Sequence, residues 1–144
     1  MTTTELTGLE LIRAIRDGNA PPPGIAQLLG MDITEAEEGR VVFTLDAKPE
    51  FSNPLGTVHG GIHATILDSA MGCAVHTALP AGVSYTTLEL KVNYVRAISL
   101  DAGTISCVGS VIHLGKRVAT AEGKVTDSAG RLLAHGTTTC MVFR

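Results

Sequence analysis

Apolar residues recur near helical spacing in the first segment, at Leu6, Leu9, Leu11, Ile12 and Ile15. That spacing predicts a peripheral amphipathic helix ending near Asp17-Gly18. Ala20-Pro-Pro-Pro-Gly24 is a stiff connector of polyproline character, and Ile25 to Leu29 has room for one short helical turn. MDITEAEEG and RVVFTLDA, separated at Gly39, read as a hairpin or meander. KPEFSNPLGTVHGG is a loop rich in Pro, Gly and Asn. Gly61 to Leu79 then forms the one strong internal helix candidate, apolar on nearly every side and therefore expected to be buried. Its residues are mostly small, and Gly72 costs about 1 kcal/mol of helix propensity relative to Ala, so close packing must favour it. Pro80-Ala-Gly82 stops this helix.

The remainder is strand. In TTLELKVNYVRAI, Leu88, Leu90, Val92 and Tyr94 alternate with Thr87, Glu89, Lys91 and Asn93, which predicts two chemically distinct strand faces. Gly103 to His113, Arg117 to Thr126 and Arg131 to Phe143 are three further β-rich runs, punctuated by Leu114-Gly-Lys116 and Asp127-Ser-Ala-Gly130. The order is helix, two strands, buried helix, four strands. It predicts an α+β domain in which an antiparallel sheet wraps around a long central α-helix. Residues 1–20 are an N-terminal helical extension and 25–144 the domain proper.

Composition narrows the function classes. A chain of 144 residues suits one domain with a core, and its 44% hydrophobic and 17% charged content is that of a globular protein. With no Trp, two Tyr and three Phe, the core must come from Val, Leu, Ile and Ala. A net charge of −3, with no basic stripe, argues against nucleic acid as a partner. The three cysteines, Cys73, Cys107 and Cys140, form no CxxC pair, so neither a disulfide framework nor a metal site is expected. The polar, acid-bearing N-terminus lacks a signal-peptide pattern, and no run approaches a membrane span, so the expected location is cytoplasmic.

Asp68 breaks the pattern, lying between Leu67 and Ser69 in a segment that otherwise reads as core. Carboxylates are seldom buried without a partner. An isolated helical Asp can simply face a polar gap, but the sequence upstream changes its context. Asn53-Pro-Leu-Gly-Thr-Val-His59-Gly60-Gly61 feeds the helix N-terminus, where backbone N–H groups lack intrahelical partners and the helix dipole adds positive potential. Such a turn can polarise a carbonyl, and its glycines let a substrate approach the backbone. Gly60 and Asp68 are eight residues apart, about 12 Å along a helix axis. One reacting carbonyl can therefore use both only if they come from two chains, which predicts a symmetric dimer with shared sites.

Asn53-Pro-Leu-Gly56, His59-Gly-Gly61, Leu67-Asp68 and the strand from Thr86 to Arg96 together resemble the PaaI-like acyl-CoA thioesterases of the hotdog-fold superfamily, over roughly residues 30–143. The resemblance implies hydrolysis of an aryl- or fatty acyl-CoA to free acid and CoA, with no cofactor. It assigns Gly60 as the backbone donor to the thioester carbonyl and Asp68 as nucleophile or general base. Asn53 and His59 would position water or the thioester, with Gly61 against the substrate. Thr87 is the best match to a water-orienting hydroxyl and Thr86 the second. Arg96, Lys116 and Arg117 are candidate partners for the anionic CoA moiety. The resemblance also implies that two dimers stack into a tetramer. Two other readings share the fold: a non-catalytic acyl-CoA-binding protein, and an enoyl-CoA hydratase. The second is weakened because His63, five residues before Asp68, does not share its helical face.

Overall fold

The structure, a computed structural model, describes residues 5–144; the first residues of the 1–20 extension lie outside them. Helix α1, Gly8–Arg16, opens on a reciprocal cap. Thr7 Oγ1 accepts from the Glu10 N–H, and the Glu10 carboxylate accepts from the Thr7 N–H. Ile12 is buried, and the Gly8 N–H donates to the Leu79 carbonyl at 3.0 Å. These contacts dock α1 on the C-terminal end of the central helix. The Pro connector leads into α2, Gly24–Leu29, which ends on left-handed Gly30 at φ 74°.

Six antiparallel strands follow the expected order: β1 Asp32–Glu37, β2 Arg40–Asp46, β3 Ser84–Tyr94, β4 Thr104–Leu114, β5 Val118–Thr126 and β6 Leu132–Phe143. They lie in one sheet in the order β1-β2-β4-β5-β6-β3, so β1 and β3 are its edges. All six contact the central helix α3, Gly60–Thr77. This is the expected α+β hotdog architecture.

Helix α3 starts one residue earlier than expected and stops two earlier, for local reasons. His59 Nδ1 accepts the Gly61 N–H at 2.8 Å and so caps the helix from Gly60 onward. At the other end Thr77 Oγ1 donates to the Ala74 carbonyl at 2.6 Å and accepts the Gly39 N–H at 2.8 Å. The chain then turns through Ala78 before Pro80.

The helix is buried on its sheet-facing side by Ile66, Leu67, Ala70, Met71, Ala74 and Val75, not all round. Ile62, Thr65, Ser69, Cys73 and His76 recur on the opposite side at helical spacing and are only partly covered. Contact with the sheet is closest at Gly109 of β4, where a Cβ would overlap the Ala70 carbonyl.

Strand β3 differs from the simple alternation. Thr87 pairs with Cys140 and Glu89 with Thr139, so Leu88 is the extra residue of a β-bulge. The bulge resets the side-chain parity. Tyr85 and Thr87 face inward before it, Leu90 and Val92 after it, while Leu88 stands 55% exposed. The expected face shared by Leu88, Leu90, Val92 and Tyr94 is thereby corrected.

Candidate active site

Strand β3 runs along α3 and touches it at three levels. Near the helix C-terminus Tyr85 lies over Gly72, where a Cβ would sit 3.0 Å from the phenol oxygen. At mid-helix Thr87 Oγ1 donates to Asp68 Oδ1 at 2.8 Å. At the N-terminus the Tyr94 hydroxyl donates to the Gly60 carbonyl at 2.7 Å.

Asp68 is half-buried and sits where α3 emerges from the sheet, beside the open edge of β3. Its hydroxyl partner reaches it only because the bulge at Leu88 lets Thr87 and Leu90 face the same way. A hydroxyl donor held against one carboxylate oxygen fixes the rotamer and leaves the second oxygen for water or substrate. Thr86 points away from Asp68, exposed on the other face of the strand.

The second group of residues assembles at the helix N-terminus. Asn53, His59, Gly60, Gly61 and Arg96 line one open groove of about 510 Å³ with His63 and Tyr94. The capping His59 takes the Gly61 N–H, and the Ile62 N–H donates to the His59 carbonyl at 2.9 Å. The Gly60 N–H finds no acceptor among the described residues. It is thus a backbone donor free to bond a group that enters the groove. Tyr94, which the alternation pattern treated as an ordinary strand residue, clamps the following peptide unit through the Gly60 carbonyl. Its only sequence signal is a tyrosine at the end of a strand.

Asn53, at the groove's margin, is engaged with its own loop. Its amide oxygen accepts from Leu55 and Thr57 N–H groups, and its amide nitrogen donates to Thr57 Oγ1 at 2.9 Å and the Val58 carbonyl at 3.5 Å. Every hydrogen-bonding position is engaged within its own loop. Asn53 therefore shapes the turn that delivers His59 and Gly60.

Lys116 and Arg117 are not in this groove. They occupy the β4–β5 turn, where the Lys116 carbonyl accepts from Arg144 Nε at 2.8 Å and the Arg117 carbonyl accepts from the Val142 N–H at 2.7 Å. Through the register Thr87–Cys140–Ala119 they belong to the Asp68 end of the sheet, two strands across. Among the described residues no cluster of three or more His, Cys, Asp or Glu side chains is placed to hold a metal. No helix among the described residues is long and apolar enough to cross a membrane.

Two histidines on α3 are packing residues. His63 is buried against the edge of the Tyr94 ring at 5.1 Å, and its Nδ1 has no hydrogen-bond partner among the described residues. His76 stacks at an angle on Tyr85 at 5.3 Å. Burial holds both rings below the ordinary imidazole value of 6.5. Between these lowered folded values and 6.5 the unfolded chain binds more protons than the folded one. Stability is therefore complete above pH 6.5 and declines as the pH falls through that window, by at most about 1.4 kcal/mol per pH unit for each ring. Urea unfolding at intervals from pH 7.5 to 5 should show this loss, and His63→Phe should make the dependence shallower.

Comparison with known proteins fits this geometry. The family model of the thioesterase superfamily matches residues 55–134. A 1,4-dihydroxy-2-naphthoyl-CoA hydrolase of Listeria monocytogenes is 26% identical over 110 residues, covering 76% of this chain and 88% of that protein. The crystal structure of a phenylacetic acid degradation-related protein from Ralstonia eutropha JMP134 superposes with a TM-score of 0.82 at 30% identity, over 90% of this chain and 98% of the other. The PaaI protein of E. coli, from the phenylacetic acid degradation operon, shares the fold at a TM-score of 0.82 and 19% identity, over 92% of this chain and 94% of its own. With its sheet wrapped around α3 and its HGG turn leading into the helix of Asp68, the chain belongs to the thioesterase superfamily, as a PaaI-like hydrolase of the hotdog fold.

Proposed function

We propose that the protein hydrolyses acyl-CoA thioesters at two equivalent sites, each built from two copies of the chain. The observation that carries this reading is the separation of two chemically complementary half-sites. Asp68 with its Thr87 hydroxyl lies eight residues along α3 from the unpartnered Gly60 N–H, about 12 Å at the usual helical rise. A thioester carbonyl is too small to touch both in one chain. A two-fold axis beside β3 brings the Gly60 end of one helix to the Asp68 of the other.

The surface beside β3 supports such an axis. The strand is an 11-residue edge with one unpaired side, and Leu88, Tyr94 and Val95, at or next to that edge, are each 55% exposed. A long edge carrying apolar residues is a ready pairing surface. Val118 and Phe143, exposed at 40% and 51% on the outer face of the sheet, are available for a second interface that would join two dimers into a tetramer.

In this site the Gly60 N–H, reinforced by the helix dipole, hydrogen-bonds the thioester oxygen as negative charge develops on it. Asp68 then either attacks the carbonyl carbon, giving a mixed anhydride that water hydrolyses to the free acid, or takes a proton from a water that attacks it. In both, CoA leaves as the thiolate and is then protonated. Thr87 keeps the carboxylate aimed. His59 and Gly61 form the rim of the groove, and Arg96 beside them offers positive charge to the anionic part of CoA. Lys116 and Arg117 can contribute from the other side. Residues 25–144 hold both half-sites, with the 1–20 extension as an added element.

Complementation tests the shared site. Asp68→Asn and Gly60→Pro, which removes the N–H at a helix position that tolerates proline, should each be inactive alone on a panel of aryl- and fatty acyl-CoAs. Co-refolded in equal amounts, they should regain about a quarter of wild-type activity. Half the dimers are then mixed, and each mixed dimer has one intact site. No recovery, or a monomer by sedimentation, rules out the shared geometry. A wild type inactive on every thioester but able to bind acyl-CoA would favour the binding-protein reading.

A further inference from the structure

We infer that Tyr94 is a positioning residue of this site: it holds the peptide between Gly60 and Gly61, and with it the direction of the Gly60 N–H. This rests on the thioesterase reading above and adds to the site a residue from outside the HGG turn.

Two adjacent glycines restrict their own backbone little, because neither has a Cβ. The peptide between them is instead gripped at both ends. Its carbonyl accepts from the Tyr94 hydroxyl at 2.7 Å, and its N–H donates to His59 Nδ1 at 2.8 Å. The preceding peptide is held as well, since the His59 carbonyl accepts from the Ile62 N–H at 2.9 Å. The Gly60 N–H thus projects into the groove from a backbone fixed on both sides.

The same two rings account for glycine at both positions. A Cβ at Gly60 would lie 3.2 Å from Cε1, Cζ and the hydroxyl oxygen of Tyr94, and one at Gly61 would lie 3.0 Å from His59 Nδ1. Each glycine lets one ring reach the peptide that joins them.

Tyr94 is itself braced. Its ring stands edge-on to the buried His63 ring, at 5.1 Å between centroids and 79° between planes. Its backbone pairs with Ala134 of β6, and the next two N–H groups, of Val95 and Arg96, both donate to the Leu133 carbonyl at 2.9 and 3.0 Å. The helix does not need the hydroxyl for its own hydrogen bonding, because the carbonyls of a first turn already accept within the helix. What the bond adds is orientation. A donor that meets charge developing on a thioester oxygen contributes most when it is aimed before the reaction begins. Tyr94 acts through Gly60, since its hydroxyl proton is already committed to the Gly60 carbonyl.

The test uses Tyr94→Phe, which keeps the ring and removes the hydroxyl, and Gly60→Ala, which keeps the N–H but presses a methyl against that ring. The substrate is whichever of octanoyl-CoA and phenylacetyl-CoA the wild type hydrolyses faster. In Tyr94→Phe, kcat should fall about tenfold with KM within about twofold, because a misaimed donor is felt chiefly in the transition state. Gly60→Ala should lower kcat in the same way. Both changes strike one bond, so the double variant should lose about tenfold, where independent effects would multiply. Sedimentation and melting curves check that assembly and fold are kept.

Hydrogen exchange of the Gly61 amide, read by NMR, follows the clamp without turnover. It should be about tenfold faster in Tyr94→Phe, while the amides of β5 keep their protection. A kcat within about twofold of wild type, multiplicative losses in the double variant, or unchanged Gly61 exchange would overturn the inference. A rise in KM alone, or loss of the assembly, would make Tyr94 a wall or interface residue and overturn it too. A wild type inactive on both thioesters, with Gly61 exchange still accelerated in Tyr94→Phe, would overturn the hydrolase reading and leave the clamp standing.

Discussion

Asp68→Asn should lower kcat/KM on acyl-CoA by about a thousandfold, the scale of a lost general base or nucleophile, with little change in stability. The amide keeps the volume of the carboxyl and its oxygen can still accept the Thr87 hydroxyl, so the 2.8 Å contact survives the change. What disappears is the negative oxygen that the proposed mechanism uses to attack carbon or to take a proton from water. Because Asp68 is half-buried at the edge of the sheet, its replacement leaves no buried charge unpaired. Steady-state kinetics on a thiol-release assay, together with a melting curve, measures both halves of the claim. A folded variant retaining more than about a tenth of wild-type kcat/KM would remove Asp68 from the chemistry. Thr87→Val extends the test. The carboxylate remains but loses its fixed rotamer, so a smaller loss is expected, of about tenfold.

The second large effect concerns stability. Gly109→Ala should cost about 3 kcal/mol or more, at the upper end of overpacking penalties. The added methyl would overlap the Ala70 carbonyl and crowd the Met71 nitrogen, which are helix backbone and cannot rotate away. The sheet and α3 would have to separate locally, opening the contact between Ala70, Met71 and their neighbours. For a domain of this size the loss corresponds to about 10 °C in Tm. Gly123→Ala is the informative companion. There a Cβ would sit 2.9 Å from a Leu67 methyl and 3.1 Å from Met71 Cγ. Flexible side-chain ends can move, so its loss should be distinctly smaller. Calorimetric melting of the two variants side by side checks the ranking. Equal losses would mean that the sheet, and not the helix backbone, limits the packing.

The same close approach explains the composition of α3. Ala70, Ala74 and Gly72 are small because β4 and Tyr85 lie almost on the helix backbone. With no Trp and few other aromatics, the chain has little bulk to hold helix and sheet apart. Small residues on one partner therefore require glycine on the other, which is what Gly109 and Gly123 supply. The overlap that a Cβ at Gly136 would make with the Lys91 carbonyl extends this to the pairing of β6 with β3. None of these glycines announces its partner in the sequence, since the pairs are far apart along the chain.

The sequence alone was enough for the helices, the six strands, the packing of an internal small-residue helix in the core, and the anomaly of an acid at Asp68 after a Gly-rich turn. These follow from periodicity and from the cost of burying charge, which act over a few neighbouring residues. The tertiary structure decided which of these groups can meet. Thr87 reaches Asp68 because Leu88 is an extra residue against β6, and a bulge depends on the register of two strands, not on the alternation within one. Asn53 satisfies itself inside its own loop, and Tyr94 closes onto Gly60 from 34 positions away. Where Asp68 stands relative to the core also needed the fold. A sheet that ends at an unpaired β3 leaves one side of α3 uncovered, and Asp68 stands at that margin.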